Sequence, residues 1–92
     1  MDLSAGSHFA KFKAAQLAGE RFLRKGFTTF KEREKRKEVR DHLEALGNAF
    51  SDYQEQLTTF HTTQNDETLA SVVGSWARVN RFIMLIETAI GD

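Results

Sequence analysis

Two stretches of the chain repeat apolar residues at alternating intervals of three and four, and no other feature constrains the fold as strongly. The first seam comprises Val39, Leu43, Leu46, Phe50, Tyr53, Leu57 and Phe60, and the second comprises Leu69, Val72, Trp76, Val79, Ile83, Ile86 and Ile90. This period keeps all seven side chains of a seam on one face of an α-helix. Two seams of equal length, joined by residues 61–68 with their polar turn, predict an antiparallel helical hairpin.

An amphipathic segment over residues 8–25 is predicted to form a further helix that covers the hairpin. Phe12 and Phe22 fall on its apolar side, whereas lysine and arginine residues fall on the other side. Gly19 has no Cβ, which would allow a close approach to a neighbouring helix. Gly26 followed by Phe27 is typical of a Schellman cap, in which Phe27 would fold back on Phe22.

The sequence therefore predicts an all-α fold. We expect an antiparallel three-helix bundle built on the long hairpin, with helices over about residues 8–25, 30–60 and 66–90. Thr29 and Glu32 have the spacing of a capping box at the start of the second helix. Gly47 lies inside the first seam, but the seam stays in phase across it, so we expect a continuous helix there. The length fits a single domain over residues 1–92, with residues 1–6 flexible.

The composition and the motifs argue against catalysis. The chain has no Cys, which excludes disulfides, thiolate metal ligands and a cysteine nucleophile. The nearest approach to a cluster of titratable groups is formed by Glu38, Asp41, His42 and Glu44. It lacks the Glu-x-x-His spacing of helical di-iron sites and is interpreted as a solvated or salt-bridged patch. The sequence contains no glycine-rich phosphate loop and no nucleophile elbow. We predict no enzymatic activity, no cofactor and no metal site.

The thirteen basic and thirteen acidic residues give a net charge of zero, but they are unevenly distributed along the sequence. Residues 8–40 carry eleven basic and four acidic side chains, and residues 41–92 carry two basic and eight acidic ones. The charged run over residues 31–38, in which Glu32 and Arg36 have the spacing of a helical ion pair, precedes the first seam and has no core to face. One function that this polarity suggests is nucleic-acid binding, with the interspersed glutamates weighing against it. The basic surface would comprise Lys11, Lys13, Arg24, Lys25, Arg33, Arg36 and Lys37.

Protein binding is the function that the sequence favours. Phe27 and Phe30 flank a junction with few apolar neighbours, and the run from Phe82 to Ile86 makes the last helix apolar almost all round. We predict a non-enzymatic interaction module, acting as an adaptor, an inhibitor or an assembly subunit. Its partner would be another protein or a second copy of itself. The candidate partner-binding residues are Phe27, Phe30, Phe82 and Met84.

Membrane association is less favoured, although the first helix has the two-sided pattern of an interfacial helix. The longest unbroken apolar run is much shorter than the ~20 residues of a membrane span, and no charged-then-apolar leader opens the chain. A cytoplasmic location is therefore expected. The seam spacing fits a three-helix monomer and a dimer of paired hairpins equally well, since both bury the same stripes.

Overall fold

The protein forms three α-helices in a computed structural model that describes residues 5–91. These are α1 (Ala5–Leu23), α2 (Phe30–Thr63) and α3 (Asp66–Gly91). The described residues contain no strand, and α2 packs against both other helices, which confirms the all-α three-helix bundle. Helix α1 begins earlier than predicted and includes residues 5 and 6, which the sequence suggested would be flexible. Residues 1–4, which the same prediction covered, lie outside the described range.

Helix α2 begins and ends through side-chain and backbone capping. The Glu32 amide donates to Oγ1 of Thr29 at 3.1 Å, and the Thr29 amide donates to Oε2 of Glu32 at 3.5 Å, so the predicted capping box is present. The helix continues without interruption through Gly47. It ends later than predicted, where Gln64 adopts a left-handed conformation with φ 48° and its amide donates to the Phe60 carbonyl at 2.7 Å. The sequence did not indicate this end, because the left-handed position is occupied by Gln and not by Gly.

The end of α1 differs from the prediction. The helix stops at Leu23, and the amides of Arg24 and Lys25 donate to carbonyls three residues earlier at 3.2 Å each. These tighter bonds satisfy the carbonyls of Arg21 and Phe22 without a left-handed residue, and Gly26 does not have a positive φ. The predicted Schellman cap is therefore wrong. Its expected side-chain contact is nevertheless present, since the Phe22 and Phe27 rings lie 5.4 Å apart.

The core lies along the two seams, and α1 covers one side of it. Leu46, Tyr53 and Ile86 are among its largest fully buried side chains. Helix α1 docks through Phe12, whose ring stacks on that of Phe50 with centroids 4.0 Å apart. The core side chains are Phe12, Ala15, Leu46, Ala49, Phe50, Tyr53, Leu57, Val72, Val79, Ile83 and Ile86.

The close approach predicted at Gly19 is also present. A Cβ at this position would lie only 2.7 Å from Cδ2 of Leu43, so the glycine brings the backbone of α1 against α2.

A second, smaller cluster closes one end of the bundle. It contains Phe22 from α1, Val39 from α2 and Ala89 from α3. Residues late in α1 and α3 thus meet a residue early in α2, so α1 and α3 run parallel to each other and antiparallel to α2. The C-terminal ends of α1 and α3 therefore lie beside the N-terminal part of α2.

Candidate protein-binding surface

The antiparallel packing of α1 on α2 collects positive charge at one end of the bundle, here called the basic end and defined as residues 21–41. This segment contains nine Lys and Arg residues and four carboxylates. Residues 44–77, which form the rest of α2, the turn and the first half of α3, contain five carboxylates and no Lys or Arg. The molecule measures 51 × 18 × 17 Å, so the charges separate along its long axis. Such a separation can orient an approaching charged partner.

The basic end projects beyond the core. Residues 30–38 precede Val39, the first buried residue of α2, and all of them are exposed apart from the half-buried Lys35. At 1.5 Å per residue they extend the helix by about 13 Å. An extension without core beneath it contributes little to stability, and it is accessible to a partner.

Phe30 is the most exposed large apolar side chain of the described residues, with 75% of its surface accessible. It is the first residue of α2 and directly follows the cap residue Thr29. Glu32 accepts from the amides of both Thr28 and Thr29, at 3.0 and 3.5 Å, and the Arg33 guanidinium donates to the Thr28 carbonyl at 3.4 Å. These bonds fix the backbone on either side of Phe30. The aromatic side chain is therefore presented to solvent from an ordered turn.

Phe27 has a different environment. Its half-buried ring packs against the end cluster, and the Arg36 guanidinium lies 5.9 Å from the ring centroid. Lys25 lies similarly over Phe22, with 5.5 Å between Nζ and the ring centroid. Cations over aromatic faces are held in place by electrostatic attraction to the ring. Arg36 therefore contacts the Phe27 ring. Glu32, which the sequence predicted as the ion-pair partner of Arg36, accepts the capping hydrogen bonds at the start of α2.

The seven residues predicted to form a basic surface do not all lie together. Arg24, Lys25, Arg33, Arg36 and Lys37 belong to the basic end. Lys11 lies in the groove between α1 and α3, beside Asn80 and Glu87. Lys13 lies over the rings of Phe9 and Phe12 near the other end of α1. At 1.5 Å per residue, Lys13 lies about 17 Å and Lys11 about 20 Å from Arg24 along the axis of α1.

The four residues predicted to contact a partner fall at three places. Phe27 and Phe30 lie at the basic end, the first against the cluster and the second in solvent. Phe82 is partly buried against the main core. Met84 is 58% exposed on α3, at the edge of the groove between α1 and α3.

The patch around His42 is a surface feature of α2. Nε2 of His42 lies 3.6 Å from a carboxylate oxygen of Glu38, one helical turn away, and the Glu38 side chain is more than half exposed. Among residues 5–91, no group of three His, Asp or Glu side chains converges in an arrangement that could hold a metal ion.

A cluster that sequence reasoning missed joins the start of α1 to the hairpin. The imidazole of His8 stacks on Trp76 with centroids 3.8 Å apart and planes 11° apart, and the Tyr53 hydroxyl is hydrogen-bonded to Nδ1 of His8. When Nδ1 is unprotonated, the hydroxyl donates this bond. His8 falls on the apolar side of α1, and that position was the signal available in the sequence. The cluster fixes the first turns of α1 against both seams.

Burial raises the pKa of Tyr53 above its ordinary value of 10.0. Because ionisation is easier in the unfolded chain, the contribution of Tyr53 to stability is complete below pH 10 and is lost as the pH rises through the raised pKa. Tyr53 is the only Tyr in the chain, so its ionisation can be followed by tyrosinate absorbance. We expect the midpoint at a higher pH in the native protein than in urea. Equal midpoints would contradict the burial of the phenol.

Helix α3 is long and apolar enough to cross a membrane, judged by length and composition alone. The mean hydropathy of its most apolar 18-residue stretch is 1.2, and 28% of that stretch is buried. Buried helices of soluble bundles share this composition. Here the seam of α3 packs into the core.

Comparison with protein-family models, with curated proteins and with solved structures finds no match for this chain.

Proposed function

We propose that the protein is a non-enzymatic protein-binding module, acting as an adaptor, an inhibitor or an assembly subunit, and that the basic end is its binding surface. The observation that carries this proposal is the exposure of Phe30 on a capped, ordered turn among cationic side chains. An isolated exposed apolar residue is ordinary on a protein surface, but Phe30 combines its exposure with a fixed backbone and neighbouring cations, as interface anchors do. A polar residue at position 30 would form the same turn, since the capping bonds do not involve the Phe30 side chain.

The chemistry of the surface indicates the kind of partner. Aromatic and arginine side chains dominate the binding energy of protein interfaces, and Phe30 lies three residues from Arg33. A fixed backbone lowers the entropy that is lost on association. The complementary partner has an apolar pocket for the ring, bordered by carboxylates for the surrounding cations.

Nucleic acid is the second candidate, because the fold brings the cations that follow α1 to the end of the bundle where those of α2 lie. Glu34 and Glu38 lie among these cations, and Lys11 and Lys13 lie far from them. A phosphate-binding surface gains affinity from each cation that it can place on the backbone, and interspersed carboxylates reduce that gain. The geometry supports a protein partner better.

Photo-crosslinking tests this proposal. A photoreactive phenylalanine analogue replaces Phe30, and the matched control carries it at Leu17, another exposed apolar position, on α1. In extracts of the source organism we expect a discrete protein adduct from position 30 and none from position 17. Excess unlabelled wild-type protein should suppress the adduct. The purified partner should bind Phe30→Ala about thirtyfold more weakly, as for a central aromatic anchor.

Two outcomes would contradict the proposal. One is the same set of adducts from positions 30 and 17, or no adduct at all. The other is an adduct that nuclease removes and protease leaves, which would favour nucleic-acid binding. A mobility shift that weakens steeply with salt would support that second candidate independently.

A further inference from the structure

An apolar groove lies between α1 and α2, in the half of the bundle opposite the basic end. Its volume is about 400 Å³. Helix α1 contributes Gly6 and Phe9 from its first turns, and Phe9 is 45% exposed. The wall on α2 consists of Phe50, Tyr53, Gln54, Leu57 and Thr58. The groove therefore offers apolar surface from both helices, and the bundle leaves part of this surface open to solvent.

The groove is large enough for an aromatic ring. An apolar cavity of about 150 Å³ binds benzene, and this groove is larger. Phe30 is an exposed ring on the same chain, but it cannot reach its own groove. Phe30 and Gln54 belong to one continuous helix, in which about 36 Å separates them at 1.5 Å per residue. A Phe30 ring that enters the groove must therefore come from another copy.

Charged side chains of opposite sign border the two walls of the groove. Glu55 is exposed on α2, three residues before Thr58, and it forms no ion pair within residues 5–91. On α1, Nζ of Lys13 lies 5.6 Å from the centroid of the Phe9 ring. The groove thus has a carboxylate beside its α2 wall and a cation beside its α1 wall.

The charges beside Phe30 have the complementary arrangement. Arg33 and Glu34 follow Phe30 by three and four residues, so they lie to either side of it one turn along the helix. A ring that enters the groove can be rotated about the direction of insertion until Arg33 meets Glu55 and Glu34 meets Lys13. The opposite rotation would bring like charges together at both places. The charges therefore favour one orientation of the inserted ring.

We propose that copies of this protein associate head to tail, with Phe30 of one copy inserted in the apolar groove of the next. This inference rests on the proposed function, and it names a second copy as the partner of the basic end. Residues 30–38 project beyond the core, which allows Phe30 to approach a groove on another bundle. The two contact surfaces differ, so the interface is heterologous and each terminal copy retains one unoccupied surface. Assembly therefore continues beyond a dimer.

Two variants that each disable one surface test this arrangement. Phe30→Ala removes the ring and keeps the groove, whereas Thr58→Trp places an indole in the groove and keeps the ring. In sedimentation velocity, each variant alone should remain at the monomer mass of 10.5 kDa, while wild-type protein at millimolar concentration should form species larger than a dimer. An equimolar mixture of the two variants has one intact ring and one intact groove per pair. It should form a dimer and nothing larger.

Thr62→Trp is the matched control for the blocked groove. Thr62 is exposed on α2, one turn beyond the residues that line the groove. This variant should assemble like the wild type, because its indole lies outside the groove. Circular dichroism verifies that each variant is folded.

Charge reversal in the same mixture tests the orientation of the ring. Glu55→Arg in the Phe30→Ala chain should raise the dissociation constant of the mixed dimer at least about tenfold, because it brings two cations together. Arg33→Glu in the Thr58→Trp chain should then return the constant to within about threefold of its original value.

Photo-crosslinking from position 30 should yield an adduct with a second copy of this chain. An added wild-type chain of distinguishable mass should replace the copy from the extract, so that the adduct with the extract's copy is suppressed. Wild-type protein that stays monomeric up to millimolar concentration would overturn the inference, as would a mixture that forms no dimer. If a monomeric chain crosslinks a different protein from position 30, the proposed function stands and the second copy is excluded as the partner. No adduct from position 30 with extracts or with purified chain would contradict both.

Discussion

Replacing Leu46 by Ala is expected to lower the free energy of unfolding by about 3 kcal/mol. Leu46 is completely buried in the main core, between the two seams. Its removal loses the transfer free energy of the side chain and leaves a cavity that the fixed helix backbones cannot close. A domain of this size has a total stability of roughly 5–14 kcal/mol, so a single substitution would remove a large fraction of it. Urea denaturation followed by circular dichroism provides the measurement, and the slope of the transition should be unchanged.

Phe30→Ala is the control for this substitution. Its ring is three-quarters exposed and contacts no part of the core, so the change in unfolding free energy should stay within about 0.5 kcal/mol. The control also separates binding from folding, because Phe30 is the residue proposed to anchor the partner. If Leu46→Ala lowered the free energy of unfolding no more than Phe30→Ala does, the two seams would not be packed against each other as the structure shows.

The hairpin was predictable because the apolar residues that pack its two helices together recur at regular intervals in the sequence. A seam of seven apolar residues tolerates Gly47 in its path, since the penalty of ~1 kcal/mol for a helical glycine is small beside the burial of Leu46 and Phe50 on either side. The capping box was predictable for a related reason. Both of its partners, Thr29 and Glu32, lie within one turn of the chain.

Features that depend on contacts between distant residues were less predictable. The left-handed Gln64 has no local signal, and the end of α1 is set by backbone bonds that any residue can make. His8 meets Trp76 and Tyr53 only after three helices have docked. The candidate site shows the same limit, because sequence polarity could not indicate which of the cations would end up at one end of the bundle.

Phe12 docks α1 on α2, and we expect Phe12→Ala to lower the free energy of unfolding by about 3 kcal/mol. The Phe12 ring is buried and stacks on Phe50 with planes only 3° apart. Phe50→Ala should cost about 4 kcal/mol, because this ring also contacts Phe9 and Tyr53. The double variant should be less destabilised than the sum of the two by about 1 kcal/mol, the coupling typical of an aromatic pair.

Two probes show whether α1 unfolds with the hairpin or separately. Trp76 fluorescence reports the docking of α1, because His8 stacks directly on the indole, whereas circular dichroism reports all three helices. We expect the two transitions to coincide in the wild type, as for a single cooperative domain. Leu17→Ala, an exposed position on the same helix, should leave both transitions within about 0.5 kcal/mol of wild type. A Trp76 transition that precedes the loss of helix in Phe12→Ala would show that the hairpin is stable without α1. Additive effects of Phe12→Ala and Phe50→Ala would contradict the stacked pair, because residues in contact share the energy that either substitution removes.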